Sequence, residues 1–132
     1  MQPDEQLVRI AIEASQKAYA PYSGFPVGAA IRAGDGKIYP GCNIENAAYP
    51  VSSCAEASAI SAMISAGQQQ IEAIAVVGPG DALVTPCGAC RQRIREFASA
   101  NTPVYIAGPE GWRATFTLDE LLPHSFGPEN LE

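Results

Sequence analysis

The chain has 132 residues, of which 47% are hydrophobic and 17% are charged, a composition typical of one globular domain over residues 1–132. Its formal net charge of −6 argues against a nucleic-acid backbone or an anionic membrane as the main partner, since both call for a basic surface. No apolar stretch reaches the roughly 20 residues of a membrane-spanning helix, and the polar N-terminus does not resemble a secretion signal. We therefore expect a cytoplasmic protein.

The first half of the chain predicts a helix, a hairpin and a second helix. Residues 4–19 place an apolar face on a helix that ends before Pro21, formed by Leu7, Ile10, Ala11 and Ala14. Two strands follow over residues 25–33 and 36–44, joined by the turn sequence "AGDG". A polar loop over residues 43–53 leads to a helix that Cys54 opens and Gly67 ends.

The second half alternates strands and helices. Residues 71–78 form an apolar strand that we expect to be buried on both faces. The remaining elements are a helix over residues 87–100, strands over 103–108 and 112–118, and a short helix with a capping box from Thr117 to Glu120. This order predicts an α/β fold, a three-layer α/β/α sandwich around a mixed five-stranded sheet.

A Cys-x-x-Cys motif, Cys87 to Cys90, lies where a strand should give way to a helix. A redox dithiol uses this position because a helix N-terminus lowers the pKa of a thiol. A zinc site uses the same spacing because the short turn brings two sulfurs to one ion. The motif alone leaves both interpretations open.

Cys54 favours the metal. It also begins a predicted helix, so two neighbouring helices can direct three thiolates to one point. Three protein ligands leave the fourth zinc position open for water, as in catalytic sites. Glu56, two residues further on, is placed to act there as a general acid and base. The small residues after it, such as Ala57 and Ser58, leave room for a planar substrate.

Five segments in this order resemble the small cytidine deaminase family in its three-cysteine, homotetrameric form, over nearly the whole chain. They are "APYSGFPVGAAI", "GCNIENAAY", "CAE", "PCGACRQ" and "ELLPHSFGPENL". The resemblance implies a cytidine deaminase-like fold and hydrolytic deamination of cytidine and deoxycytidine to uridine and deoxyuridine, with release of ammonia, as in pyrimidine salvage. It also implies one Zn²⁺ per chain and a homotetramer with composite active sites.

The resemblance also implies the role of each site residue. Cys54, Cys87 and Cys90 would be the zinc ligands, and Glu56 the catalytic proton shuttle. The residues implied in nucleoside binding are Asn43 and Glu45 for the sugar, the backbone of Ala55 for the base, Phe25 near the ring, and Phe126, Ala47 and Tyr49 where subunits meet.

Simpler interpretations stand beside these roles. Phe25 and Phe126 could be core aromatics, and Asn43 and Glu45 could be turn residues. The remaining residues have mainly structural interpretations: Cys42 as a buried small residue, His124 as a surface or interface residue, and "RQRIRE" as a solvated helix face.

Three other functions stay open. A deaminase of the same fold could act on a modified cytosine nucleoside or on an aminated heterocycle such as blasticidin S. Cys87 and Cys90 could form a thiol-disulfide centre. A non-catalytic, zinc-stabilised binding module is the third, although it gives Glu56 no role.

Ala57 departs from the family pattern, in which many three-cysteine members carry an arginine directly after Cys-Ala-Glu. Three thiolates on Zn²⁺ leave one net negative charge, which opposes lowering the pKa of a bound water. We expect the helix N-termini to compensate, together with a donor from Ser58, Arg91 or Gln92.

Overall fold

A computed structural model describes residues 3–132. Its helices are α1 (Glu5–Ser15), α2 (Ala55–Ser65), α3 (Gly88–Phe97) and α4 (Leu118–Leu121), with short 3₁₀ helices at Tyr49–Val51 and Pro128–Leu131. Its strands are β1 (Gly28–Ala33), β2 (Ile38–Cys42), β3 (Ile71–Val77), β4 (Pro103–Gly108) and β5 (Gly111–Thr117). The predicted order of helices and strands is confirmed. None of the helices within this range has the length and apolar character needed to cross a membrane.

The five strands form one mixed sheet in the order β2-β1-β3-β4-β5. β3 and β4 are parallel, because α3 provides the crossover between them, and all other pairs are antiparallel. The predicted β1–β2 hairpin closes where the Ala33 backbone N–H donates to the Lys37 carbonyl oxygen at 3.0 Å. Gly36 has a φ of +82° in this turn, a conformation that favours glycine.

Helices cover both faces of the sheet, as predicted. On one face, α1 packs on small side chains of the central strands, chiefly Ala30, Ala73, Ala75 and Ala107. On the other face, α2, α3 and α4 pack on larger ones, including Ile31, Ile74, Val76, Val104 and Ile106. Alternate residues of each strand point to opposite layers, so both faces of β3 are buried.

Two glycines let helices rest directly on strand backbone. A Cβ at Gly28 would lie 2.5 Å from the Ser15 backbone nitrogen of α1. A Cβ at Gly41 would lie 2.6 Å from the Ala55 carbonyl oxygen, in the first turn of α2. Gly41 therefore fixes how closely the start of α2 approaches β2, and with it the position of the residues that begin this helix.

Two helices end earlier than predicted. α1 stops at Ser15, because the Tyr19 backbone N–H donates to the Asn43 carbonyl oxygen at 3.0 Å instead of continuing the helix. α3 stops at Phe97, where Ala98 is extended and the Ser99 backbone N–H donates to Thr102 Oγ1 at 2.9 Å. The predicted end of α2 is confirmed, with Gly67 at a φ of +91°. The predicted capping box at Thr117 is also present.

Candidate active site

Three cysteine sulfurs meet at the starts of α2 and α3. Cys54 is the N-cap residue of α2, Cys87 is the N-cap residue of α3, and Cys90 lies in the first turn of α3. Their Sγ atoms all lie within 4.8 Å of one another. No other group of three or more potential metal ligands of this kind occurs among residues 3–132. The cluster predicted from the sequence is therefore formed by the fold.

The cluster fits zinc. All three residues are free thiols, and three sulfurs this close can each reach one ion at the Zn–S distance of about 2.3 Å. Burial raises the pKa of the Cys90 thiol, and the negative charges of Glu56 and the other two cysteines raise it further. A divalent cation offsets this penalty, because metal binding replaces the thiol protons.

Glu56 lies beside the sulfurs, in the first turn of α2, and only 5% of its surface is exposed. Burial raises the pKa of its carboxyl group. A hydrogen bond with Cys90 and the positive charge of Arg93 act in the opposite direction. A buried carboxyl group next to a metal site is suited to holding and moving a proton.

A cavity of about 240 Å³ opens over the cluster. It is lined by predicted site residues, namely Phe25, Asn43, Cys54, Ala55, Glu56, Cys87 and Cys90. Sequence analysis missed its remaining walls, which are Val27, Val76, Val84 and Thr85. Val84 and Thr85 belong to an irregular segment with no periodicity, although their closeness to Cys87 in sequence was a usable signal. The volume is below the about 300–1,000 Å³ of typical ligand pockets, and suits a single planar ring.

Asn43 and Glu45 hold the segment that carries Phe25. The Asn43 side chain accepts from the Val27 backbone N–H at 2.9 Å and donates to the Phe25 carbonyl oxygen at 2.9 Å. The Glu45 carboxylate accepts from the Ser23 hydroxyl and from the Tyr22 backbone N–H, the latter at 2.9 Å. Hydrogen bonds from Ser23, chiefly from its hydroxyl, lower the pKa of Glu45. These contacts join segments that are distant in sequence and are not those of residues within one turn, and Asn43 also lines the cavity.

The other predicted substrate contacts lie outside this cavity. Glu45 and Tyr49 line a second pocket of about 370 Å³, together with Tyr22, Ser23 and Ser52. Ala47 is exposed, and Phe126 is 58% exposed near the C-terminus. Neither residue lines one of these two pockets.

The simpler interpretations of four of these residues can be compared with the structure. Phe25 and Phe126 are exposed, so their interpretation as core aromatics is wrong. Cys42 is half-buried and lies outside the sulfur cluster. His124 is exposed, as expected of a surface residue.

The α3 sequence "RQRIRE" is not simply a solvated face. Arg91 is half-buried and donates to the carbonyl oxygens of Pro86 and Leu121, both at 2.7 Å, and to Thr85 Oγ1 at 3.0 Å. The arginine thus ties the loop before Cys87 to the end of α4. The prediction of a solvated face is wrong for this residue.

The donor to a ligand sulfur is also not one of the three expected. Arg91 is engaged as above, the Gln92 side chain donates to the Phe126 carbonyl oxygen at 2.9 Å, and Ser58 pairs with Ser53 at 3.2 Å. Instead, Arg93 Nη1 lies 3.6 Å from Cys90 Sγ. The signal that could have found it is the helical i, i+3 spacing from Cys90 to Arg93.

Comparison with known proteins gives the family. A profile described as "Cytidine and deoxycytidylate deaminase zinc-binding region" matches residues 1–106. The chain belongs to this family. A curated relative named cytidine deaminase, from Sporosarcina psychrophila, is 46% identical over 127 residues, which cover 96% of this chain and 93% of the relative. Another from Halalkalibacterium halodurans is 43% identical over 127 residues, covering 96% of each chain.

Solved structures agree with the fold. The cytidine deaminase of Burkholderia pseudomallei superposes with a TM-score of 0.88 at 40% identity, covering 95% of this chain and 100% of that one. That of Mycobacterium tuberculosis gives a TM-score of 0.80 at 36% identity, covering 96% and 99%. The resemblance inferred from the five motifs is thus confirmed. Family membership and the three-thiol cluster identify the chain as an enzyme whose metal is zinc, which favours a deaminase over the thiol-disulfide protein and the binding module.

Proposed function

We propose that this chain catalyses the zinc-dependent hydrolytic deamination of cytidine and deoxycytidine, giving uridine or deoxyuridine and ammonia, as in pyrimidine salvage. The observation that carries the proposal is the position of Glu56, in one cavity with the three thiols. The names of the relatives support cytidine as the substrate. The acidic chain suits a nucleoside, which carries no phosphate to neutralise.

Cys54, Cys87 and Cys90 would hold the zinc, and Glu56 would move the protons. Zinc, when bound, lowers the pKa of a coordinated water so that hydroxide is available near neutral pH. The buried Glu56 carboxylate would move two protons of the attacking water in turn. The first goes to ring nitrogen N3, where it stays in the uracil product, and the second goes to the amino group, which leaves as ammonia. Its place in the first turn of α2 keeps it beside the sulfurs.

The chain's own residues would position the nucleoside. The cavity accepts the planar base, with Phe25 at its rim and the first backbone N–H groups of α2, including that of Ala55, free of intrahelical acceptors. Asn43 at the cavity wall and Glu45 beyond it would bind the sugar hydroxyls. An amide and a carboxylate together offer the donors and acceptors that a diol requires.

We infer that the active site is completed by neighbouring subunits in a homotetramer. Apolar side chains are exposed over residues 19–51, including Tyr19, Ile44, Tyr49 and Val51, and such a patch is typical of an interface. The C-terminal segment is held on α3 by the hydrogen bond from Gln92 to the Phe126 carbonyl oxygen, which presents the Phe126 ring outward. The ring would enter a partner's pocket near Ala47 and Tyr49.

A single domain over residues 1–132 and a cytoplasmic location belong to the same proposal. The support for the location is chemical. Four free cysteines, three of them within 4.8 Å of one another, stay reduced in a reducing compartment.

The first experiment measures bound zinc and the loss of cytosine absorbance on the same sample of protein with cytidine. We expect one zinc per chain and conversion to uridine. Glu56→Gln is the matched variant, and it should keep the zinc while losing turnover by at least about 100-fold. Bound zinc without conversion of cytidine would indicate a different substrate, either a modified cytosine nucleoside or blasticidin S. A panel of such compounds would then be tested. Absence of zinc would refute the mechanism.

The composite site is tested by mixing two inactive variants. Glu56→Gln and Phe126→Ala should each form tetramers with low activity. After dissociation and reassembly together, mixed tetramers should regain activity, because a Glu56→Gln subunit can supply its Phe126 to a neighbour with an intact Glu56. Monomers by light scattering, or no regained activity in verified mixed tetramers, would contradict this arrangement.

A further inference from the structure

The charge of the metal site favours a compensating cation. Three thiolates around a divalent ion carry one net negative charge. Cys90, the buried one of the three, is shielded from water, whereas Cys54 is half-buried and Cys87 is exposed. Groups that donate to metal ligands tune both the affinity for the metal and its acidity. A cationic side chain beside the buried sulfur would therefore add to the partial positive charge of the two helix N-termini.

Arg93 is the arginine that reaches the cluster. Its Nη1 lies 3.6 Å from Cys90 Sγ, on the same face of α3. The neighbouring arginines of this helix are engaged elsewhere: Arg91 with the loop before Cys87 and with Leu121, and Arg95 with Ser125 and Glu129. Within residues 3–132, no other side-chain cation donates a hydrogen bond to one of the three sulfurs.

The corresponding position on α2 is neutral. Arg93 follows the ligand Cys90 by three residues, and Ala57 follows the ligand Cys54 by three residues. Residues at this spacing lie on one helix face, so each position can place a side chain beside its own ligand. In this chain the charged side chain is on α3 and the small one is on α2.

We propose that Arg93 is a positioning residue of the metal site, which neutralises the anionic thiolate shell from α3 and so takes the place of a cation that α2 lacks at Ala57. This inference rests on the proposed function. The zinc-bound site carries a net negative charge, so a fixed positive charge 3.6 Å from one ligand sulfur favours the metal-loaded protein. A less anionic shell also leaves the ion a stronger Lewis acid.

The variants Arg93→Met and Arg93→Lys test the proposal, with Arg9→Met as the matched control. Arg9 is exposed on α1, across the sheet from the site, and its loss changes the net charge by the same amount. Zinc affinity is measured by competition with a chromophoric chelator, and kcat and KM with cytidine. Arg93→Met should lose about 10–100-fold in zinc affinity and in kcat, the usual effect of removing a partner of a metal ligand. KM should change little, and Arg93→Lys should keep most of both properties.

A rescue variant separates charge from structure. The double variant Arg93→Met with Ala57→Arg places a cation beside the cluster from α2 instead of α3. Its zinc affinity should be about tenfold higher than that of Arg93→Met alone. Unchanged zinc affinity in Arg93→Met would overturn the proposal, and so would equal losses in Arg93→Met and Arg93→Lys. If Arg93→Met does not fold, failure of Arg93→Lys to retain zinc affinity decides against it. A wild-type protein that binds zinc but converts no cytidine would count against the proposed function alone, because the affinity measurements would still decide the role of Arg93.

Discussion

Gly41→Ala, a substitution in strand β2, should displace the active-site residues at the start of α2. The new methyl group would lie 2.6 Å from the Ala55 carbonyl oxygen and close to the Ala59 backbone nitrogen, both in α2. These are backbone atoms, so no side chain can rotate away to relieve the overlap. A carbon and a carbonyl oxygen normally approach to about 3.4 Å, so α2 has to move away from β2 by roughly 0.8 Å.

This displacement has two measurable costs. Overpacking of this kind costs about 2 kcal/mol, which lowers Tm by roughly 6–10 °C for a domain of this length. The helix also carries Cys54 and Glu56 away from Cys87 and Cys90 on α3. A misplacement of about 1 Å costs on the order of 100-fold in rate, so kcat/KM for cytidine should fall by about this factor.

Thermal unfolding followed by circular dichroism and steady-state kinetics measure the two effects. Gly34→Ala is the matched control, because a Cβ there would meet only side-chain atoms at ordinary contact distance, from Gln70 at 3.7 Å and Glu72 at 3.8 Å. If Gly41→Ala matches Gly34→Ala in both Tm and kcat/KM, then α2 does not rest on the backbone of β2 and the geometry deduced for the site is wrong.

Three further substitutions have expected outcomes. Arg91→Ala leaves three acceptors without their donor, so denaturant titration should show a loss of about 3 kcal/mol. Glu45→Ala should raise KM for cytidine roughly tenfold, with kcat within about twofold, in steady-state assays. Asp4→Asn keeps the N-cap acceptor of α1 but loses the ion pair with Arg32, which spans 2.7 Å and contributes about 1 kcal/mol. The hydrogen bond from Arg32 lowers the pKa of Asp4 in the folded protein, so this stability is present above the ordinary pKa of 3.8 and is lost as pH falls through the folded value. Melting curves of Asp4→Asn and wild type should therefore converge as the pH falls through the lowered pKa of Asp4, and a difference that stays constant throughout the acid titration would contradict the ion pair.

The start of each long helix could be predicted because local chemistry determines it. Cys54 and Cys87 follow loops and precede regular helical sequence, and both are N-cap residues in the structure. Because two helix starts carry thiols, the prediction of a metal site needed only one further assumption, that these two helix starts lie close together in the fold. Local sequence also predicted the capping box at Thr117 and the turn around Gly36.

Features that depend on distant partners could not be predicted in this way. Residues 16–19 suit a helix, but Tyr19 pairs its backbone with Asn43 and Glu45, which local propensity does not reveal. The cavity walls Val76 and Val84 come from separate segments that meet only in the fold. Arg91 and Arg93 look equivalent in sequence, yet a two-residue step turns the side chain by about 200° around a helix, so one braces a loop and the other reaches a sulfur.

The sulfur cluster also has a mechanical consequence. Cys54 belongs to α2 and Cys87 to α3, so an ion held between them fastens together two helices that lie on either side of β3 in the sequence. The chain between residues 54 and 87 becomes a closed loop, as it would with a disulfide, and loops of 15–100 residues gain about 3–4.7 kcal/mol in the chain-entropy model. The catalytic ion would then act as a reversible cross-link between the two helices. In a cell short of zinc, the protein would be both inactive and less stable.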